Sequence, residues 1–378
     1  MDCKHFGECG ACRIYENGYE YQLNQKLELN IERFKPFYSG KISVYESPEQ
    51  NYRSRSEFKI WHAKCLDTGN GDIMRYAMNH IDKKGVVFID ECPQVSESIS
   101  LLMPKLLQSI TEKKMGFKLF GADFLSSSSG EIVVSLLYHR KLDEEWQAKA
   151  ADIAGELGIY IIGRSRKQKV VIGQDYITES LKINDEIYKF KYIENSFTQP
   201  NSKVNEQMIS WALNNSNDGG DLLELYCGAG NFTIPFAKKF DKVLATEISK
   251  SSINAAKANM ILNDVHNIEF VRMSVEEFVQ ALDGVREFRR MNDININSYD
   301  IKSIFVDPPR SGMDEASCKF SSRYDNILYI SCNPETLARD LAILSKTHVV
   351  ENMALFDQFP YTHHVEMGVK LVKKGSDK

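Results

Sequence analysis

The rhythm of apolar and polar positions changes near residue 190 of this 378-residue chain. Before that point the signals are mixed. Leu23, Leu27, Ile31 and Phe34 recur at helical spacing and Pro36 closes the pattern, which predicts one amphipathic helix. Strand-like sequence covers 56–61, a helix is expected over 96–110, and the runs 118–125 and 131–138 flank four serines and Gly130, as the arms of a hairpin would. Trp146, Ala150, Ile153 and Leu157 predict another helix, ended by Gly158 and followed by a strand over 159–163. Strands interleaved with helices in this way suggest a compact α+β module, a candidate substrate reader.

Beyond 190 the pattern becomes regular. Short continuous apolar runs at 221–226, 242–246, 267–272, 303–306 and 326–330 are each followed by a loop, and mostly by a helical stretch such as 249–262. Runs of this kind belong to strands buried on both faces, so a parallel sheet covered by helices is expected. Two more strands, 349–355 and 368–372, end the chain with no helix between them. The expected fold class is α/β: a Rossmann-like domain over 189–378 preceded by a smaller α+β unit over 1–188.

Bulk properties narrow the function without defining it. With 43% apolar residues the chain can bury a large core, and its length makes two domains the default. No apolar run approaches a membrane span, and the charged opening residues do not form a signal peptide, so cytoplasmic residence is expected. A net charge of −5 argues against non-specific coating of nucleic acid, which depends on neutralising phosphates. Local basic grooves remain available from Arg53, Arg55 and Lys59, from Lys113, Lys114 and Lys118, and from Arg164, Arg166, Lys167 and Lys169. Nothing in the sequence calls for a membrane or an obligate protein partner.

The candidate chemistry lies mostly in the second half. The sequence Leu-Glu-Leu-Tyr-Cys-Gly-Ala-Gly-Asn-Phe at 223–232 reads as a strand, a glycine-rich turn and the start of a helix, with Gly228 and Gly230 allowing close approach of a ligand. Glu247 ends the next strand, where a carboxylate can accept hydrogen bonds from both hydroxyls of a ribose. The third glycine of the dinucleotide fingerprint is missing, so a cofactor with a ribose and no pyrophosphate, such as S-adenosylmethionine, fits better. Asp307-Pro308-Pro309-Arg310 follows another strand and should face the same cleft; it also resembles the loop of amino-methyltransferases. Cys332 follows the 326–330 strand on that edge. A thiol there changes the expected reaction, because methylating a pyrimidine carbon requires a nucleophile first. Glu366, between the last two strands, is a candidate for the base that must then remove the C5 proton.

At the other end of the chain, Cys3, Cys9 and Cys12 offer three metal ligands. Cys92, followed by a proline, is the best fourth and Cys65 the runner-up. A four-iron cluster and a zinc ion both suit four cysteines.

These motifs together resemble the RNA uracil-5-methyltransferases over nearly the whole chain. The resemblance rests on Asn-Tyr-Arg-Ser-Arg-Ser-Glu-Phe at 51–58, Glu-Asn-Ser-Phe-Thr-Gln-Pro-Asn at 194–201 and the 223–232 loop. Val-Asp-Pro-Pro-Arg-Ser-Gly at 306–312, Ile-Ser-Cys-Asn-Pro-Glu-Thr-Leu at 330–337 and Leu-Phe-Asp-Gln-Phe-Pro-Tyr-Thr-His-His at 355–364 complete it. It implies an S-adenosylmethionine-dependent methyltransferase with Cys332 as nucleophile and Glu366 as base. Gln199, Tyr226, Asn231, Glu247 and Asp307 would hold the methyl donor. It further implies the T-loop uridine of tRNA as substrate, with Glu57, Phe120 and His139 near the RNA. The cysteine spacing resembles the iron–sulfur ligands of the family's ribosomal-RNA branch, which makes a uridine of 23S rRNA the alternative target and a [4Fe-4S] cluster the expected group. A non-catalytic tRNA-binding module, needing neither Cys332 nor Glu366, is the rival of another class.

Overall fold

The computed structural model describes residues 1–64 and 72–375. The chain opens with a cysteine-rich coil, then helix α1 (Gly18–Phe34) and strand β1 (Ser43–Tyr45). An α+β unit follows: β2 (Arg55–Lys64), β3 (Asp72–Asn79), β4 (Val86–Ile89), α2 (Glu97–Glu112), β5 (Leu119–Ser126), β6 (Ile132–Tyr138), α3 (Glu144–Leu157), β7 (Tyr160–Ser165) and β8 (Gln168–Ile172). Its seven strands form one sheet in the order β4-β3-β2-β5-β6-β7-β8, antiparallel except for the β6–β7 pair. Local signals set the helix limits. Ser96 caps α2 by accepting from the amide of Ile99, Asp143 caps α3 by accepting from that of Trp146, and Gly158 ends α3 in the left-handed conformation.

A hairpin of β9 (Tyr176–Ile183) and β10 (Glu186–Ile193) leads to α4 (Ser202–Asn215). The larger unit then runs β11 (Asp221–Leu225), α5 (Thr233–Phe236), β12 (Lys242–Thr246), α6 (Lys250–Leu262), β13 (Ile268–Val271) and α7 (Val275–Leu282). It continues with β14 (Ile301–Val306), α8 (Glu315–Ser321), β15 (Asn326–Ser331), α9 (Pro334–Leu344), β16 (His348–Phe356) and β17 (Glu366–Lys373). The sheet order is β1-β16-β17-β15-β14-β11-β12-β13.

Side chains alternate between the two faces of this sheet, and both faces are buried. Leu222, Val243, Ala245, Phe305 and Leu328 enter one core; their neighbours Leu223, Leu244, Ile304, Val306 and Ile327 enter the other. The five strands expected to run parallel do so, and the direction changes at β17. β17 inserts antiparallel between β15 and β16, as strands joined without a helix must when they are neighbours.

The chain's opening also behaves differently from expectation. β1 pairs with β16, and α1 packs on the second core through Tyr19, Leu23 and Phe34, so both lie with the larger sheet. The anticipated boundary between 188 and 189 falls inside β10, whose hairpin shares a core with Leu125, Val133 and Ile162 of the smaller sheet. Among the described residues no helix is long and apolar enough to cross a membrane.

Candidate active site

The carboxyl ends of β11, β12, β14 and β15 lie side by side, and the loops leaving them build the site. The turn after β11 is tight: Tyr226, Gly228 and Gly230 all have positive φ, at 63°, 54° and 86°. Glycine accepts that conformation without strain, whereas Tyr226 must be held in it. The holding contacts come from neighbouring strands and helices. The Cys227 amide donates to the Thr246 carbonyl at 3.0 Å, and Asn259 of α6 donates to the Ala229 carbonyl at 3.0 Å. Glu247 accepts from the Gly228 amide at 3.2 Å and the Ser249 amide at 2.7 Å, which ties the end of β12 to the turn.

One cavity of about 420 Å³ joins these loops. It is lined by Gln199, Tyr226, Gly228, Asn231, Asp307, Cys332 and Glu366, gathering nearly all the candidate donor and catalytic residues. Glu247 does not line it but accepts from the Gly228 amide of the turn. Arg310 also lines the cavity, its carbonyl held by Asn333 and Thr336. Three other features were not anticipated. Phe190 and Tyr192 of β10 supply an apolar wall. Asn231 exchanges two hydrogen bonds of 2.9 Å with Asn205 of α4, and Gln199 accepts one of 2.8 Å from Gln358. These partners come from distant segments, so spacing in the sequence could not reveal them.

Glu366 is the first residue of β17, opposite Phe356, and is only 4% exposed. The expected loop position between two strands is therefore corrected: the carboxyl is anchored on a sheet. Burial pushes it well above the usual carboxylate range, helped by the charge of Asp307. Burial alone raises Asp307 to about 7. Cys332 is half-buried just beyond β15, and its thiol is pushed up to about 11 by burial, then by the charges of Glu366 and Asp307, with Arg310 pulling the other way. Three acidic groups thus share a site that disfavours more than one negative charge. Cys227, also on this edge, is 5% exposed, packs in a core and borders the same cavity.

The other candidates lie elsewhere. Cys3, Cys9, Cys12 and Cys92 line a second cavity of about 780 Å³ together with Arg53, Arg55 and Glu57. Burial raises all four thiols, Cys92 to about 11, and the charges of its companions add to the shift of Cys12. The buried Nε2 of His5, on the same wall, has no hydrogen-bond partner. Donor type and shared cavity therefore suit a thiolate-bound group, yet among the described residues no three His, Cys, Asp or Glu side chains are drawn into a metal-holding arrangement. Cys65 lies outside the described residues.

Arg53 and Glu57 are neighbours of Arg55, to whose carbonyl Arg53 donates at 2.8 Å and whose guanidinium lies 3.5 Å from Glu57. Phe120 is no core residue: it is 38% exposed and stacks on His139 with ring centroids 3.9 Å apart. This stack lines a third cavity of about 840 Å³ beside Arg140, Lys141, Arg164, Arg166 and Lys167, apart from the one holding Cys332. Phe197, which is 77% exposed, lines both the Cys332 cavity and a groove with Arg53 and Arg55.

The glycine turn, the acidic residue after β12 and the cleft at the strand ends define a Rossmann-like methyltransferase. A solved structure shares this fold over 94% of the chain and 84% of its own, with a TM-score of 0.68 and 23% identity: the tRNA (uracil-54, C5)-methyltransferase of Pyrococcus abyssi in complex with S-adenosyl-L-homocysteine. The profile of the tRNA (Uracil-5-)-methyltransferase family matches residues 18–374, and the chain belongs to that family. It is 69% identical to a tRNA/tmRNA (uracil-C(5))-methyltransferase of Sulfurimonas denitrificans, over 99% of this chain and 100% of the relative. It is 50% identical to a protein of that description from Aliarcobacter butzleri, over 99% of both.

Proposed function

We propose that the protein transfers the methyl group of S-adenosylmethionine to C5 of the T-loop uridine of tRNA, forming 5-methyluridine through a covalent Cys332 adduct. The observation that carries the proposal is the single cavity lined by the thiol of Cys332, the carboxyl of Glu366 and the turn at Gly228 to Asn231. A uridine stacked in folded RNA must leave its stack to reach such a cavity. Phe120 and His139, with the cations around them, supply a surface for unstacked bases and phosphates; Arg53 lines the Phe197 groove beside the Cys332 cavity, and Glu57 lines the cysteine cavity that Arg53 also borders.

The chain's own residues account for the chemistry. Gln199, Tyr226, Gly228, Asn231, Glu247 and Asp307 would hold the methyl donor, which supplies an electrophilic methyl group. Cys332, its proton released to solvent, bonds through Sγ to C6 of the uracil, and the C5=C6 electron pair moves towards O4, making C5 nucleophilic. C5 would take the methyl group as its bond to the donor's sulfur breaks, leaving S-adenosylhomocysteine; Glu366 then takes the C5 proton, the C5=C6 bond reforms and Sγ leaves with its electron pair. We further assign the four cysteines to a metal group, iron–sulfur or zinc, with a structural or RNA-facing role and no redox turnover. Cys92→Ser should then abolish bound metal and any cluster absorbance; an unchanged metal content would sink that assignment.

Incubation with tRNA carrying 5-fluorouridine and the methyl donor tests the main reading, because fluorine cannot leave C5 as a proton does. A covalent protein–RNA complex that disappears in Cys332→Ala is expected. No adduct with any RNA would defeat the mechanism, and an adduct with 23S rRNA fragments alone would move the target to the ribosome.

A further inference from the structure

Gln358 is wholly buried at the start of the segment joining β16 to β17, and it does not line the Cys332 cavity. Its surroundings are unusually constrained. Next to it, Asp357 accepts from Lys26 at 2.6 Å and from Gln22 at 2.9 Å, both on α1. The same two side chains reach past Gln358, Lys26 donating to the Phe359 carbonyl at 3.0 Å and Gln22 accepting from the Tyr361 amide at 3.2 Å. The Gln358 amide also donates to the Phe356 carbonyl at 3.0 Å. The backbone is thus gripped on both sides, and among the described residues the side chain has one hydrogen-bond partner: its Nε2 donates to Oε1 of Gln199.

We propose that Gln358 is a positioning residue that locks the Gln199 amide with its NH₂ end towards the cavity, so that this wall offers a hydrogen-bond donor to an oxygen of the bound ligand. A primary amide has nearly the same shape either way round and opposite hydrogen-bonding character at its two ends, so an unrestrained glutamine could present either. The buried setting decides between them. In the observed sense, among the described residues, the buried Oε1 of Gln358 has no partner and one of its two amide N–H bonds is unused. In the reversed sense both N–H bonds of that amide would be stranded instead, and buried unpaired N–H groups are tolerated less well than carbonyl oxygens. Gln199 itself is 7% exposed, so its free end can face little but the cavity. The oxygen it meets belongs either to the methyl donor, as a carboxylate or ribose oxygen, or to a carbonyl of the uracil.

This inference rests on reading the cavity as the site for S-adenosylmethionine and the target base. Two variants test it, with folding checked by thermal unfolding. Gln358→Glu keeps the shape, but when ionised it can only accept, which turns the Gln199 amide round; Gln358→Met keeps the bulk and releases the lock. Equilibrium binding of S-adenosylhomocysteine and steady-state kinetics with tRNA separate the two sources of oxygen. A loss of about tenfold or more in S-adenosylhomocysteine affinity for Gln358→Glu, and a smaller loss for Gln358→Met, supports an oxygen of the donor. Unchanged S-adenosylhomocysteine affinity with a comparable fall in kcat/KM for tRNA supports a uracil carbonyl. In either case the defect of Gln358→Glu relative to wild type should shrink at lower pH, where the buried carboxyl is protonated and donates again; a packing defect has no reason to do so. Folded variants that match wild type in both measurements overturn the inference. Failure of the wild-type protein to bind S-adenosylhomocysteine would overturn the underlying reading of the site as well.

Discussion

Glu366→Gln should make Cys332 more reactive while abolishing methylation. The thiol rises from an ordinary 9.0 to about 11, with burial the largest cause and Glu366 the next. At pH 8 about 0.1% of such a thiol is ionised, against about 10% at the ordinary value, so Cys332 should alkylate roughly a hundredfold more slowly than an unhindered cysteine. Glu366 is the second cause of that rise, after burial, so removing its charge should raise the thiolate fraction while burial still keeps it below that of an ordinary thiol. The assay is iodoacetamide labelling of the Cys332 peptide, followed by mass spectrometry between pH 8 and 10. Faster labelling in the variant, alongside lost turnover, supports a carboxylate that opposes the thiolate and is retained to remove the C5 proton. Slower labelling would refute the reasoning, because Glu366 would then be the group that takes the thiol's own proton.

Three further expectations concern stability and RNA. Burial raises Asp307 from 3.8 to about 7, so the folded state binds a proton that the unfolded state releases, and stability should fall as pH rises through that window. Asp307→Asn removes this penalty and should be more stable than wild type at pH 8 by up to about 4 kcal/mol in urea melts, with activity lost; equal stability would deny the effect. Lys26→Met leaves Asp357 buried without its cation and should cost roughly 3–5 kcal/mol, most of it recovered by adding Asp357→Leu; no recovery would mean the ion pair is not the reason. Phe120→Ala should weaken tRNA binding by about 1–3 kcal/mol in filter-binding titrations and leave S-adenosylhomocysteine affinity unchanged, whereas a loss of both would point to misfolding.

Most of the larger sheet was legible in the chain, since continuous apolar runs between loops have few other uses. The strands expected at 242–246 and 326–330 match β12 and β15 almost residue for residue. Helix α1 was legible as a helix, but its buried face was not. Ile31, counted in the apolar stripe, is 49% exposed, while Gln22, Lys26 and Asn30 are buried. Periodicity cannot place a lysine inside, because the carboxylate that compensates it, Asp357, lies more than three hundred residues away. The same limit hid Asn205 and Gln358, whose roles exist only through contact with Asn231 and Gln199.

Local pattern alone names the chemistry available: the thiol of Cys332, the carboxyl of Asp307 and a glycine turn, each just after an apolar strand. Local pattern is enough for that, because strand direction sends every such end to one edge of the sheet. Only the tertiary structure decided how those groups behave. The insertion of β17 beside β15 brings Glu366 to the cavity that Cys332 lines, and burial there raises both groups. Solvation and charge proximity are properties of the packed site, and they exist only once distant segments have met.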